Sequence, residues 1–162
     1  NVAGNELNKS AFKSPDPDYL IGISSKVNYK DFDLSFSGRL SLGNYVYNNN
    51  ASSIGVYQQL YNQSGYTQNI LTDVRKTDFA TAQYWSSIYL ENASYFKLDY
   101  ISLGYNFTSV FGNNLTGRVG LSVQNVFTIT KYSGLDPEVD NGIDNNIYPR
   151  PRTFMLSISL NY

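Results

Sequence analysis

The stretch Arg152-Thr153-Phe154-Met155-Leu156-Ser157-Ile158-Ser159-Leu160-Asn161-Tyr162 decides the fold, because its side chains alternate between apolar and mostly small polar types without a break. Successive side chains of a β-strand point to opposite faces, so one face is apolar and the other carries mainly hydroxyl and amide groups. About nine to eleven tilted residues cross the hydrocarbon layer of a membrane as a β-strand. The pattern is therefore typical of an outer-membrane β-barrel strand, with one face in lipid and the other in the lumen.

The composition supports a barrel and argues against several other classes of protein. The 162 residues include 15 Tyr and 9 Phe, yet the mean hydropathy is negative, and the chain lacks the long apolar runs of a helical membrane bundle. The net charge of −1 offers no basic surface, which argues against nucleic acid as a partner. The absence of His and Cys removes the commonest general base and the commonest metal ligand, and so argues against an enzyme.

Five segments carry the strand pattern, and we predict antiparallel strands at about 18–30, 32–47, 94–108, 114–129 and 152–162. A two-residue turn at Lys30-Asp31 would pair Tyr29 with Phe32, Val27 with Leu34 and Ile21 with Leu40, which brings the apolar residues of both strands to one face. The agreement of the two faces supports this register.

The next hairpin is predicted on the same reasoning. Pairing Phe107 with Leu115 places Tyr105 across from Gly117, where an aromatic ring can cover the bare glycine backbone. The alternation breaks over residues 95–100, and this break indicates a β-bulge or a portion of the strand that projects beyond the membrane.

The connections between the strands differ in length in a regular way. Short turns lie at 30–31 and 108–114, whereas long polar segments lie at roughly 48–94 and 130–150, so we expect short periplasmic turns and long extracellular loops. Within the first long loop we predict a short helix over residues 53–61. Five strands cannot close a barrel without unbonded edges in lipid, so we expect the chain to be a fragment with further strands and a signal peptide upstream.

Four motifs of the chain, taken together, carry a resemblance to a known protein family. They are Pro17-Asp18-Tyr19-Leu20-Ile21-Gly22, the strand from Ser94 to Phe107, Tyr132-Ser133-Gly134-Leu135-Asp136-Pro137-Glu138-Val139 and Tyr148-Pro149-Arg150-Pro151-Arg152-Thr153-Phe154. These motifs resemble the C-terminal end of SusC/RagA-type TonB-dependent transporters, and the resemblance covers nearly the whole chain.

The resemblance implies an all-β fold, in which the chain supplies the last five antiparallel strands of a barrel of about 22 strands. It further implies a multi-pass barrel in the outer membrane of a Gram-negative bacterium, in contact with outer-membrane lipid and with upstream barrel and plug segments of the same protein. A SusD-like surface lipoprotein would form the lid, and the TonB complex would act through an N-terminal part outside this chain. The implied activity is the import of a glycan or oligopeptide, without catalysis and without a cofactor.

The candidate contacts for substrate or lid lie in the two long loops. They are Trp85, Tyr132, Asp136, Asp140, Asn141, Asp144 and Asn145. The oxygen-rich loop at 136–146 could also bind Ca²⁺, but its spacing is not that of the twelve-residue calcium loop. A solvated acidic loop is the favoured interpretation.

Aromatic and charged residues near the predicted strand ends allow two interpretations each. Trp85, with Tyr84, Tyr89 and Tyr95, could stack on a sugar or pack on a lid, although aromatics at that height more often form the interfacial belt, which we favour. Arg150 and Arg152 could meet lipopolysaccharide or an acidic substrate, and ending the strand ladder is the simpler role. The inward-facing charges are expected to pair the wall with the plug; they are Asp33, Arg39, Lys97 and Asp99.

Two other classes of protein remain as alternatives. An outer-membrane barrel enzyme would need an activated nucleophile and a general base, and the sequence has no His. A structural or adhesive β-protein, such as a soluble sandwich, would bury the apolar faces under a second sheet. Sandwich strands average about five to six residues, which is shorter than the alternating runs seen here.

We predict that Tyr162 is an assembly signal, because an aromatic ring ends the lipid face of the last strand and C-terminal aromatics of such barrels resemble the signal that the insertion machinery reads. Tyr162→Ala should lower the amount of barrel in the outer membrane and leave periplasmic aggregates, measured by cell fractionation. If the ring is an anchor alone, the variant should reach the surface at wild-type levels and lose only about 1 to 3 kcal/mol of stability.

Overall fold

The computed structural model describes residues 13–61, 65–108, 115–145 and 148–161. Tyr162 and the turn residues 109–114 therefore lie outside the described residues. The described parts form two compact units. Of the described residues, those within 19–42, 95–130 and 149–161 form the sheet unit, and those within 13–18, 43–94 and 131–148 form the loop unit. The described residues contain no helix that is long and apolar enough to cross a membrane.

The secondary structure is mostly β. The strands are β1 (Tyr19–Tyr29), β2 (Phe32–Leu42), β3 (Tyr45–Tyr47), β4 (Leu90–Asn92), β5 (Tyr95–Phe107), β6 (Thr116–Thr130) and β7 (Thr153–Asn161). The helices are α1 (Asn49–Ile54) and α2 (Val74–Thr77), with 3₁₀ turns at Tyr57–Leu60 and Ser87–Tyr89. The five long strands form one antiparallel sheet in the order β1-β2-β5-β6-β7, which confirms the predicted all-β antiparallel fold.

The register of the sheet unit gathers the apolar side chains on one face across all five strands. One row runs through Val27, Leu34, Leu103, Leu121 and Leu156. The neighbouring row on the opposite face runs through Lys26, Ser35, Ser102, Ser122 and Met155. Because the side-chain period of a strand is two, this register gives the sheet one apolar and one mainly polar face.

The first hairpin has the predicted register. Tyr29 faces Phe32, Val27 faces Leu34 and Ile21 faces Leu40. The turn contains Lys30 at φ 52°, a left-handed conformation that a two-residue hairpin turn demands and that glycine or asparagine would adopt at lower cost.

The second hairpin differs from the predicted register by two residues. Phe107 faces Gly117, whereas Tyr105 faces Val119. A ring carbon of Phe107 lies 2.5 Å from the position that a Cβ at Gly117 would occupy, so Phe107 covers the glycine and the expectation for Tyr105 was wrong. A shift of two residues leaves every side chain on its own face, so the apolar pattern alone could not detect it.

The break in alternation over residues 95–100 coincides with a bulge at Asp99. On the β2 side, Gly38 pairs with Leu98 and the adjacent Ser37 pairs with Tyr100, so Asp99 is an extra residue of β5 without a partner in the ladder. One extra residue reverses the parity of the strand, which places Leu98 on the apolar face although Tyr100 lies on the polar one. In β6, Asn125 and Val126 lie opposite Asp99, so this strand has a bulge at the same level, and Asn125 adopts φ 52°.

The strand predicted over 32–47 is divided between two sheets. β2 ends at Leu42, and Gly43 follows at φ +90°, where a Cβ would collide with the carboxylate of Asp18. β3 then pairs with β4 in a separate two-stranded sheet. The positive φ of Gly43 redirects the chain, a change that strand propensity does not report.

The helix predicted over 53–61 begins earlier and is interrupted. α1 follows Asn48, whose side chain accepts a hydrogen bond from the backbone N–H of Ala51 at 2.8 Å. The helix stops at Gly55, and a 3₁₀ turn then covers part of the remainder. The asparagine cap, rather than the apolar spacing, sets the start of the helix.

Charges on the polar face pair within the sheet itself. The Arg118 guanidinium donates from Nε to Asp33 Oδ2 at 3.0 Å and from Nη2 to Asp33 Oδ1 at 2.6 Å. Arg39 Nη2 lies 3.3 Å from Asp99 Oδ1. Three of the four charges expected to reach a plug thus have partners within the sheet unit, and Lys97, which is buried, also takes part in a polar interaction.

Glycine makes room for the bidentate pair. The position of a Cβ on Gly104 is already occupied by the Asp33 carboxylate and the Arg118 guanidinium, and a Cβ on Gly120 would lie 2.9 Å from Arg118 Nη1. The Arg118 guanidinium therefore extends from β6 over β5 to Asp33 in β2, and it passes over Gly104, where β5 has no side chain.

We predict that Gly104→Ala separates the Asp33–Arg118 pair and lowers the stability of the folded protein, because the new Cβ would occupy the position of the two paired side chains. The measurement is the temperature at which the folded protein loses its characteristic mobility on gels. Gly22→Ala is the matched control, because nothing lies within 4 Å of its would-be Cβ. In an Asp33→Ala background, which removes the carboxylate from the position of the new Cβ, the Gly104 effect should largely disappear, and an undiminished effect would contradict this account.

Candidate functional site

The loop unit is held together by the short β3–β4 sheet and a small apolar cluster. Tyr45 pairs with Asn92, and Tyr47 pairs with Leu90. The cluster contains Val46, Ala93 and Tyr132, with Val139 packed against it. Since this core is small, polar contacts contribute much of the order in the unit.

Glu91 joins three parts of the loop unit. Its carboxylate accepts hydrogen bonds from Asn48 Nδ2 at 3.1 Å, from the backbone N–H of Ser133 at 2.8 Å and from Ser133 Oγ at 2.7 Å. Asn48 is also the cap of α1. A single acidic side chain thus fixes the start of the helix, strand β4 and the second long loop relative to one another.

Tyr132 and Asp144 form a buried pair. The Tyr132 hydroxyl donates to Asp144 Oδ2 at 2.7 Å, and Asp144 is only 2% exposed. Burial raises the pKa of the Tyr132 hydroxyl, and the hydrogen bond to Asp144 raises it further, so the hydroxyl keeps its proton and remains a donor. The backbone N–H of Asp144 donates to Tyr47 O at 2.9 Å, and Tyr47 N–H donates to Gly142 O at 2.8 Å.

The predicted contact residues therefore divide into two groups. Tyr132, Asp136 and Asp144 are buried, whereas the exposed ones are Trp85, Asp140, Asn141 and Asn145. Asp136 Oδ1 accepts from the Glu138 N–H at 3.0 Å, and Asn141 Oδ1 accepts from the Ile143 N–H at 3.1 Å, so both residues shape the loop. Asn145 Oδ1 accepts from Asn49 Nδ2 at 2.5 Å.

The calcium interpretation of loop 136–146 stays an untested prediction. Among the described residues no group of three or more acidic, His or Cys side chains is arranged to hold a metal ion. One of the candidate ligands, Asp144, accepts a hydrogen bond from the Tyr132 hydroxyl instead.

The loop unit contains a cavity of about 700 Å³ that the sequence did not predict. Leu135 and Ile88 line it and remain 70% and 51% exposed. Its other lining residues include Asn48, Ile54, Leu71, Asp73, Val74, Lys76, Tyr89 and Glu91. The lining residues come from five separate stretches of the chain, at 48–55, 71–77, 88–91, 133–135 and 144, so local periodicity could not have identified them.

Trp85 is held in an unusual conformation at the surface of the loop unit. Its φ of 60° is in the left-handed region, which is costly for a bulky side chain. Its backbone N–H donates to the Tyr47 hydroxyl at 2.8 Å, and its ring stacks on Tyr47 at 5.3 Å between centroids. Tyr47 is buried and contacts Tyr89 edge to face. Of the four aromatics expected in one belt, Tyr89 and Tyr95 are buried, whereas Trp85 and Tyr84 are exposed.

The segment that leads into β7 is fixed by the bulge residue Asn125. Asn125 Nδ2 donates to Arg150 O at 2.7 Å, and Arg152 Nε donates to Asn125 O at 3.4 Å. These contacts are consistent with the simpler role expected for the two arginines at the end of the ladder. A second hollow of about 430 Å³ in the sheet unit is lined by residues that include Lys97, Asp99, Tyr100, Asn125 and Arg150.

Comparisons with known proteins place this chain beside one group of receptors. It is 41% identical to the TonB-dependent receptor SusC of Bacteroides thetaiotaomicron over 95% of this chain and 16% of that protein. It is 29% identical to the TonB-dependent receptor P3 of Formosa agariphila over 91% of this chain and 17% of that protein. No family model matches the chain.

Solved structures show the same relationship in the fold. The RagAB peptide transporter aligns with a TM-score of 0.73 and 25% identity, over 91% of this chain and 17% of the matched chain. The RagAB peptide importer in its open-open state aligns with a TM-score of 0.71 and 22% identity, over 93% of this chain and 18% of the matched chain. The chain therefore spans less than a fifth of the length of the relatives it matches.

We predict that Tyr132→Phe loosens the loop unit, because it removes a hydrogen-bond donor from the buried Asp144 carboxylate. The expected cost is about 1 to 3 kcal/mol. Hydrogen exchange in the intact protein measures it at the amides of Tyr47 and Asp144, which should exchange faster. Tyr148→Phe is the control, since Tyr148 is 88% exposed. Equal exchange in the two variants would contradict a structural role for the pair.

Proposed function

Because the chain is related in both sequence and fold to the SusC- and RagA-like TonB-dependent receptors, we propose that it forms part of the barrel wall of an outer-membrane nutrient importer. The observation that carries the proposal is the apolar face that continues across all five long strands of the sheet unit. In a barrel this face contacts lipid, and the mainly polar face lines the lumen.

The exposure of the apolar face supports its contact with lipid. Leu103, Leu121 and Leu156 are each about half exposed or more, although they lie at the middle of long strands. A water-soluble protein rarely leaves so large an apolar surface uncovered. The outer membrane of a Gram-negative bacterium would cover it.

The loop unit is proposed to lie outside the cell and to bind a SusD-like lipoprotein that acts as the lid. Its long segments leave the sheet at the same strand ends, whereas the short turn at 30–31 is at the opposite end. Exposed apolar side chains around a cavity, with Asp73, Lys76 and Glu91 also in its lining, match the apolar centre and polar rim of protein interfaces. An apolar side chain of the lipoprotein would fill the cavity beside Leu135.

The cargo is proposed to be a glycan or an oligopeptide. The name of the RagAB structures assigns peptide transport to that protein. The present chain has nearly balanced charge, with 12 Lys and Arg against 13 Asp and Glu, so a strongly charged cargo is not favoured. Energy from TonB and gating by a plug would come through parts of the protein outside this chain.

We predict that Leu135→Asp weakens the lipoprotein complex by about tenfold or more, because burial of one leucine side chain contributes about 1.5 to 3 kcal/mol. The measurement is the amount of lipoprotein that copurifies with the receptor, together with cargo uptake by cells. Tyr148→Asp is the control, as it places the same charge on an exposed aromatic position of the loop unit.

The quantity of assembled barrel should be the same in both variants, because Leu135 is exposed and contributes little to folding. Normal copurification and normal uptake in the Leu135 variant would overturn the assignment of the cavity to the lid. A receptor whose uptake does not depend on TonB would overturn the importer itself.

A further inference from the structure

We propose that Trp85 is a stacking site for a neutral pyranose ring, so that the loop unit binds a glycan directly. The inference rests on the proposed importer function and narrows its cargo. It concerns a residue outside the cavity assigned to the lid.

The first observation is the backbone strain at Trp85. A left-handed conformation at a bulky residue persists only where the surroundings impose it, and such outliers concentrate at binding and active sites. Glycine would adopt the same φ without cost. The presence of the largest side chain at this position therefore indicates that the ring itself serves a purpose.

The second observation is that the ring is fixed and yet open. Tyr47 holds the backbone N–H of Trp85 by a hydrogen bond of 2.8 Å, and the two rings are nearly parallel, with 24° between their planes. Tyr47 is itself only 7% exposed and packs edge to face on Tyr89. Trp85 is nonetheless 74% exposed. One face of the indole rests on a rigid support, and the other is available to a ligand without further ordering.

The third observation is that the chain segments around Trp85 are uncharged. Residues 79–90 contain no charged side chain, and the neighbouring segment 56–60, which donates two backbone hydrogen bonds to Phe79 O and Ala80 O, contains none either. A bound cation would favour acidic neighbours, and a bound anion would favour basic ones. A neutral sugar presents an apolar C–H face for the indole and hydroxyl groups for amides and hydroxyls.

Side chains that could form hydrogen bonds with the hydroxyl groups of a sugar lie next to Trp85 in the chain. Gln83 Nε2 donates to Thr81 O at 3.1 Å, which orients the amide and leaves its carbonyl oxygen able to accept. Ser86 Oγ accepts from the Ile88 N–H at 3.5 Å, so its own proton can be donated. An aromatic plane with a few oriented polar groups is the usual composition of a small-molecule site.

The test is the binding of neutral oligosaccharides to the intact receptor in detergent, in the absence of TonB. Hexasaccharides of glucose, xylose and mannose with defined linkages are the probes, and calorimetry measures their affinities. Trp85→Gly is the informative variant, because glycine keeps the backbone conformation and the hydrogen bond to Tyr47 while it removes the ring. The affinity for the bound oligosaccharide should fall by about tenfold or more, a change of about 1.4 kcal/mol per factor of ten.

Two further variants sharpen the result. Trp85→Phe retains an aromatic face and should restore most of the affinity, and Tyr148→Ala removes an equally exposed ring elsewhere in the loop unit and should change nothing. The inference is overturned if Trp85→Gly binds like the wild type, if no neutral oligosaccharide binds at millimolar concentration, or if the variant loses affinity for neutral peptides only. TonB-dependent uptake by the wild type, measured separately in cells, shows whether the importer function stands when the Trp85 inference fails.

Discussion

The hydrogen-bonded ladder that joins β1, β2, β5, β6 and β7 is the interaction on which the rest of the structure depends. Each strand must keep its apolar residues on the same face as its neighbours, because a slip of one residue would move a whole row to the other side. The bulge at Asp99 shows how strict this requirement is. It interrupts the alternation of β5, yet Leu98 still pairs with Phe127 and Leu103 with Leu121, so the apolar face continues on both sides of the interruption.

The same property explains what the sequence could and could not predict about the sheet. The two-residue period of a strand determines which face each side chain lies on. In the first hairpin, the short turn at Lys30-Asp31 also determines which residues pair across the strands, so the predicted register is confirmed. Across the longer second turn only the parity was determined, and Phe107 rather than Tyr105 faces Gly117. The division of the predicted 32–47 strand depends on the φ of Gly43, which is a local conformation that propensity does not report.

The candidate site is harder to predict than the sheet, because a sequence does not distinguish a solvated acidic side chain from one that is hydrogen-bonded inside a loop. In a unit with a small apolar core, backbone amides and hydroxyls need buried partners, and carboxylates supply them. Glu91 and Asp144 serve in this way, and Glu91 was not identified from the sequence because nothing in its local pattern distinguishes it from a surface residue. The position of Trp85 in a long loop predicts that its ring is exposed, whereas the support beneath the ring comes from Tyr47, which lies 38 positions away in the chain.

The polar groups of both units are largely engaged in holding the protein together. In the sheet unit Asp33 pairs with Arg118, and in the loop unit Glu91 and Asp144 accept several of the shortest hydrogen bonds. A charge that already has a good partner gains little from a ligand, because binding would exchange one contact for another. Under the proposed function, recognition would rest on exposed apolar and aromatic groups of the loop unit, which are Leu135 and Ile88 at the cavity and Trp85 on its tyrosine support. Since these groups are fixed in place by the buried polar network, ligand binding requires little further ordering, and a change in that network should alter binding without any contact to the ligand.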